Sequence, residues 1–203
     1  MGFWAERILP HLVEKGCRSR TILEERQRWI PRAHGEVLEL GVGSGLNLAF
    51  YDASSVGKVT GIDPSVPLLA RAEARAHKAQ VPVELVPGTA EQLPFPDRSF
   101  DSAVITYSLC SIGDPPRALA ELRRVLRPDG ELFFVEHGLA ADPAPRRWQR
   151  WLTPLWRRIG GGCHLDRDIA AILRDSGFRI DELSADYSDG PRWLGFTYQG
   201  VAS

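Results

Sequence analysis

The sequence predicts an α/β domain built on a mostly parallel sheet with helices on both faces. Three observations carry this expectation. Short apolar, β-branched runs alternate with helical patterns along the chain. A glycine-rich turn follows the first of these runs, and about ten residues without a helical pattern join the last two.

Residues 1–34 read as an N-terminal helical segment punctuated by Pro10 and Pro31. Strands are expected at 36–40 (EVLEL), 58–62 (KVTGI), 83–86 (VELV), 102–107 (SAVITY) and 131–137 (ELFFVEH). The turn at 41–45 is expected to open a helix. Residues 64–76 and 115–126 place apolar side chains at helical spacing, and each begins at prolines suited to a first turn. Arg127-Pro128-Asp129-Gly130 reads as the turn into the fifth strand. Residues 143–165 form an insertion rich in Pro, Arg and Trp; beyond it come a helix at 166–177, with Gly177 as its stop, and strands at 178–183 and around 193–201. The helix-free link before the last strand permits an antiparallel hairpin there. The whole chain, 1–203, reads as one domain.

At 203 residues one core buries roughly 70% of the surface the unfolded chain exposes, so no staple is needed. Twenty-five basic against 26 acidic residues leave a formal net charge of -1, without the basic footprint of a nucleic-acid binder. Nucleic acid is therefore not expected as a partner, and nothing calls for an obligate protein partner. Cys17, Cys110 and Cys163 cannot all pair within one chain and show no metal-ligand spacing with the histidines. The expectation is no metal, free thiols and a cytoplasmic setting. Glu6, Arg7, Pro10 and Glu14 interrupt the N-terminal stretch, so neither a signal peptide nor a bilayer-spanning helix is expected there.

The strongest chemical signal is Glu39-Leu40-Gly41-Val42-Gly43-Ser44-Gly45. Glycines after a strand let the backbone approach a ligand that a Cβ would strike. Asp63 ends the second strand at the carboxyl edge of the sheet, where a carboxylate can accept both hydroxyls of a ribose. A dinucleotide-binding fingerprint would need a third glycine at position 46, which is Leu46. A nicotinamide oxidoreductase is thereby disfavoured, and a cofactor-binding module without catalysis stays open.

ELGVGSG (39–45), GID (61–63), GTAEQLPF (88–95), SFD (99–101) and LRPDG (126–130), in this order, resemble the class I S-adenosylmethionine-dependent methyltransferases. The resemblance implies a single Rossmann-like, doubly wound sheet of seven strands, mostly parallel with the last reversed, and S-adenosylmethionine as cofactor. It implies that Glu39 holds the amino end of the methionine part and that Gly41, Gly43 and Gly45 allow close approach. Asp63 would take the ribose, Ala90 and Glu91 would border adenine, and Thr106 would offer its carbonyl. Thr89 stands where family members often carry Asp.

SLCSI (108–112), VEHG (135–138) and GGCHLDR (161–167) are further similar to the thiol S-methyltransferase branch, implying a small lipophilic thiol as acceptor. A quinone or phospholipid head group is the alternative. Strand four ends without the Asn/Asp-Pro-Pro-Tyr/Phe sequence that grips planar nitrogens. Tyr107, His137 and His164 are the candidate catalytic or orienting residues. His137 serves equally as a cap on backbone groups, and His164 as a local turn residue. Cys110 reads first as a small apolar residue.

In the insertion, positions 148, 151, 152, 155, 156 and 159 share one helical face among five arginines, and Pro154 argues for a kink or two short helices. The readings are a lid with peripheral contact to anionic lipid through 146–159, or an amphipathic helix burying its tryptophans on the domain.

Overall fold

A computed structural model describes residues 20–188 and 190–203, so the part of the expected N-terminal helix that falls on 1–19 lies outside the described residues. Helix α1 spans Arg20–Trp29 and runs into a 3-10 turn at Ile30–Arg32. The sheet strands are β1 (Gly35–Leu40), β2 (Val56–Asp63), β3 (Val83–Pro87), β4 (Phe100–Thr106), β5 (Leu126–His137), β6 (Ile180–Tyr187) and β7 (Phe196–Ala202). Helices α2 (Val66–Ala76), α3 (Pro115–Val125), α4 (Pro143–Ile159) and α5 (Ile169–Asp175) complete the fold.

Strand order is β3-β2-β1-β4-β5-β7-β6, with β7 antiparallel to both neighbours and the pairs from β3 to β5 parallel. The central strands bury both faces, which explains their continuous apolar runs. Leu38, Ile105 and Phe134 pack with Leu119 and Leu122 of α3 and Leu173 of α5. The alternating positions Val37, Val104 and Phe133 pack with Trp29, Ile30 and Leu69 on the other side. Asp114 and Asp168 cap α3 and α5 by accepting the amides of Arg117 and Ala171.

Three local expectations change. Residues 41–50 are successive turns, with Gly45 N–H donating to Val42 O and Leu48 N–H to Gly45 O, and no regular helix forms there. Arg127–Gly130 is a bulge inside β5, because Phe100 pairs Leu126 while Ser102 pairs Glu131. Pro154 sits within one continuous 17-residue helix, α4. The element is not broken into two short helices.

Helix α4 also turns a different face inward from the one its apolar stripe suggests. Gln149 is buried, its Oε1 accepting from Ala140 N–H at 2.8 Å and its Nε2 donating to Gly138 O at 2.9 Å. This polar anchor rotates the helix so that only Leu152 and Trp156 pack inward, against Cys110, Cys163 and Leu165. Trp148, Trp151, Leu155 and Ile159 stay outside, with Trp151 71% exposed. The helix does not bury those two tryptophans on the domain.

Candidate active site

The carboxyl ends of β1, β2 and β4 open into a cleft of about 500 Å³. Glu39, Gly41, Gly43, Asp63, Ala90, Glu91, Thr106 and Tyr107 all line it. Gly45 does not: a Cβ there would lie 2.8 Å from Leu48 Cδ1 and 3.2 Å from Ala72 Cβ, so its backbone closes on α2 instead. Gly43 is the opposite case. At φ +53° it has only Gly41 O, at 3.9 Å, near the site of an added Cβ, so the missing side chain leaves room on the cleft side.

Asp63 is 7% exposed. Oδ2 accepts the Gly43 amide at 2.9 Å and Oδ1 the Ser65 amide at 2.8 Å. Burial pushes its carboxyl upward while these two bonds pull it back. Glu39 is deeper still: Asn47 Nδ2 donates to Oε1 at 2.9 Å and the Tyr51 hydroxyl to Oε2 at 2.7 Å. Burial pushes Glu39 up to about 7 against those donors and Arg26. Glu91 uses Oε1 to hold the amides of Gly113 and Asp114, so it fixes the loop that walls the cleft.

Arg26 is the residue sequence reasoning missed. Helix α1 places it in the cleft at 4% exposure, where it donates to Asn47 Oδ1 and, at 3.1 Å, to Thr106 Oγ1. Among the described residues its Nε is the buried side-chain nitrogen or oxygen without a hydrogen bond. A buried cation beside Glu39 on the cleft wall suits an amino-acid moiety, whose ammonium and carboxylate would meet opposite charges. The room at Gly43, the carboxylate at Asp63 and the cationic Arg26 side chain together fit S-adenosylmethionine.

Tyr107 follows β4 at φ 53°, a strained conformation for an aromatic residue, with its hydroxyl bonded to Glu25 Oε2. His137 lies behind it, the two rings 6.3 Å apart, with Nε2 2.9 Å from Cys163 Sγ. Burial lowers the His137 imidazole, but the Cys110 sulfur outweighs it, and the net direction is upward. His164 does not line the cleft: its amide donates to Cys110 O at 2.9 Å and its Nδ1 sits 3.8 Å from Asp166. Burial, with Arg167 and Arg157, holds it below the usual imidazole value. Although no spacing signals a metal site, the fold gathers Cys110, His137 and Cys163.

The strand order, the glycine turn and the acidic end of β2 define an α/β domain that receives a nucleoside cofactor. The family described as a methyltransferase domain matches residues 38–134. Thiol S-methyltransferase TMT1B of Rattus norvegicus is 35% identical over 78% of this chain and 65% of its own length; that of Homo sapiens is 36% identical over 80% and 68%. The chain thus covers about two thirds of the length of these relatives. A phosphatidylethanolamine N-methyltransferase of Cereibacter sphaeroides is 42% identical over 55% of this chain and 54% of its own. The solved SAM-dependent methyltransferase of Methanosarcina mazei superposes with a TM-score of 0.66 at 26% identity, covering 84% of this chain and 92% of that one. The chain belongs to the class I S-adenosylmethionine-dependent methyltransferases.

Proposed function

We propose that this chain methylates a small, lipophilic thiol from S-adenosylmethionine. The observation that carries the cofactor half is the single cleft joining Gly43, Asp63, Glu39 and Arg26. The thiol half rests on the relatives named thiol S-methyltransferase, which match more of the chain than the phospholipid enzyme does.

Asp63 keeps lone pairs on both oxygens for the ribose hydroxyls. The Arg26 guanidinium, on the cleft wall, lies on the side of the carboxylate of the methionine part, and Glu39 on the side of its ammonium. The Ala90 amide meets adenine beside Thr89, and the Thr106 carbonyl faces the amino end. Bound cofactor would supply a sulfonium methyl for in-line displacement by the acceptor's thiolate sulfur, giving S-adenosylhomocysteine and a thioether, with the thiol proton lost to solvent on ionisation. The chain's task is then to orient and desolvate the acceptor. Tyr107 is the candidate that lines the cleft, so it contacts the acceptor, while its bond to Glu25 fixes the ring. His137 is a positioning residue behind it, and His164 belongs to the turn before α5.

Residues 143–165 act as a movable cover, supported by Gly160 and Gly161 on the cleft rim. The outer face of α4 sets Trp148, Trp151, Leu155 and Ile159 beside Arg147, Arg150 and Arg158, all exposed. That combination suits peripheral contact with an anionic lipid surface, from which a lipophilic acceptor would be drawn. The described residues contain no helix long and apolar enough to cross a membrane. Free thiols at Cys110 and Cys163 support a cytoplasmic setting.

The test is transfer of a labelled methyl group to a panel of thiols, phenols, amines, quinols and phosphatidylethanolamine. Product from lipophilic thiols is expected. Product confined to the quinols or the phospholipid would move the assignment to the alternative acceptors.

A further inference from the structure

Behind the cleft wall, three donors far apart in sequence converge. Cys110 follows β4, His137 ends β5 and Cys163 follows α4, yet their ligand atoms lie within 4.8 Å of one another. Both cysteines are free and buried, at 2% and 6% exposure. Two thiols and an imidazole are the donor set of a zinc site, where Zn–S bonds of about 2.3 Å and Zn–N bonds of about 2.0 Å set tetrahedral donors roughly 3.5–3.8 Å apart. Closing from 4.8 Å needs side-chain shifts of about 1 Å on that geometry. The 2.9 Å approach of Cys163 Sγ to His137 Nε2 opens slightly as both turn to one ion.

The surroundings support such a site. Glu136 is fully buried, and its carboxylate accepts the amides of Ser108 at 2.6 Å, Leu109 at 2.8 Å and Cys110 at 3.2 Å. The His164 amide holds Cys110 O at 2.9 Å, and Arg167 holds Leu109 O at 2.5 Å. Cys110 is thus fixed from both ends by bonds outside the donor set, as metal ligands characteristically are. Leu152 and Trp156 cover the sulfurs. A divalent cation with two thiolates is neutral overall, which relieves the cost of charge in so buried a place.

We propose that Cys110, Cys163 and His137 bind one Zn²⁺ per chain as three of its ligands. The ion would clip together the loop after β4, the end of β5 and the loop after α4. Two of those segments, at 107–113 and 160–161, border the cleft. The inference goes beyond methyl transfer and does not depend on which acceptor is used.

The test is titration of the reduced, chelator-treated full chain with Co²⁺, followed by Zn²⁺. The expected result is one Co²⁺ per chain with intense thiolate-to-cobalt charge-transfer absorption and tetrahedral ligand-field bands, both abolished by Zn²⁺. Cys163→Ser, which removes a ligand, should weaken Co²⁺ binding by at least the roughly 100-fold that loss of an outer-shell partner can cost, and His77→Ala, on the exposed end of α2, should leave it unchanged. Absence of the charge-transfer band, or a band unchanged in Cys163→Ser, overturns the site. Should that variant not fold, alkylation of wild type decides: Cys110 and Cys163 protected by Zn²⁺ supports the proposal, and equal labelling with Zn²⁺ and with chelator overturns it.

Discussion

The Gly43 amide donates to Asp63 Oδ2 at 2.9 Å, so the turn after β1 and the end of β2 are tied by the carboxylate assigned to the ribose. On that assignment, removing the carboxylate would delete the ribose contacts and, with the Gly43 and Ser65 bonds, loosen the turn as well. Asp63→Ala should weaken S-adenosylhomocysteine binding by about 2–4 kcal/mol in a folded protein, measured by titration calorimetry. Gly43→Val should act in the same direction, because its side chain would enter the cleft at a φ of +53° that valine resists.

The role proposed for Arg26 distinguishes the amino-acid part of the cofactor from the nucleoside. Arg26→Leu should cost about 1.5–3 kcal/mol of S-adenosylhomocysteine affinity. Its effect on 5′-methylthioadenosine, which has no carboxylate, should be slight. Equal losses for the two ligands would place Arg26 in a purely structural role.

Glu39 gives a signed pH dependence. Its carboxyl, raised by burial to about 7 from 4.5, contributes stability that is fully present below about 4.5 and lost as pH rises through about 7. The contribution is about 3 kcal/mol. An ammonium bound beside it favours the carboxylate, so S-adenosylhomocysteine affinity should rise from pH 6 to 8, with proton release at pH 6. Glu39→Gln should flatten both profiles, read by thermal melting and by calorimetry in buffers of different ionisation enthalpy.

The two faces of α4 should respond differently. Replacing Trp148 and Trp151 by Ala should leave stability within about 0.5 kcal/mol, because both rings are exposed. The pair should still be needed for sedimentation with anionic vesicles and for turnover of hydrophobic acceptors. Trp156, stacked edge-on against Trp193 with centroids 6.0 Å apart, should cost about 2 kcal/mol when cut to Ala, less than a fully buried tryptophan. A fall in melting temperature for the outer pair would contradict their assignment.

The parts of this molecule that can be read locally were legible in the sequence. Gly41, Gly43 and Asp63 announce themselves because a turn that admits a ligand needs particular residues at fixed offsets. The helix-free stretch before β7 announces the antiparallel edge for a similar reason. Arg26 was invisible because its meaning comes from how α1 docks across the sheet, not from its neighbours in the chain. Cys110, His137 and Cys163 were invisible together because 27 and 26 residues separate them and three elements bring them to one point. The rotation of α4 was left open between two readings because apolar periodicity marks a face without saying which half is buried, and Gln149 decides that through two hydrogen bonds.

The central claim is tested most directly by mass spectrometry of the product formed from a lipophilic thiol and methyl-labelled S-adenosylmethionine, with wild type and Asp63→Ala side by side. The account predicts a labelled S-methyl thioether from wild type, and a yield reduced by about 30-fold or more in the variant at cofactor concentrations below its dissociation constant. A wild type that binds S-adenosylhomocysteine yet leaves every thiol unmethylated, or a variant as productive as wild type, would contradict it.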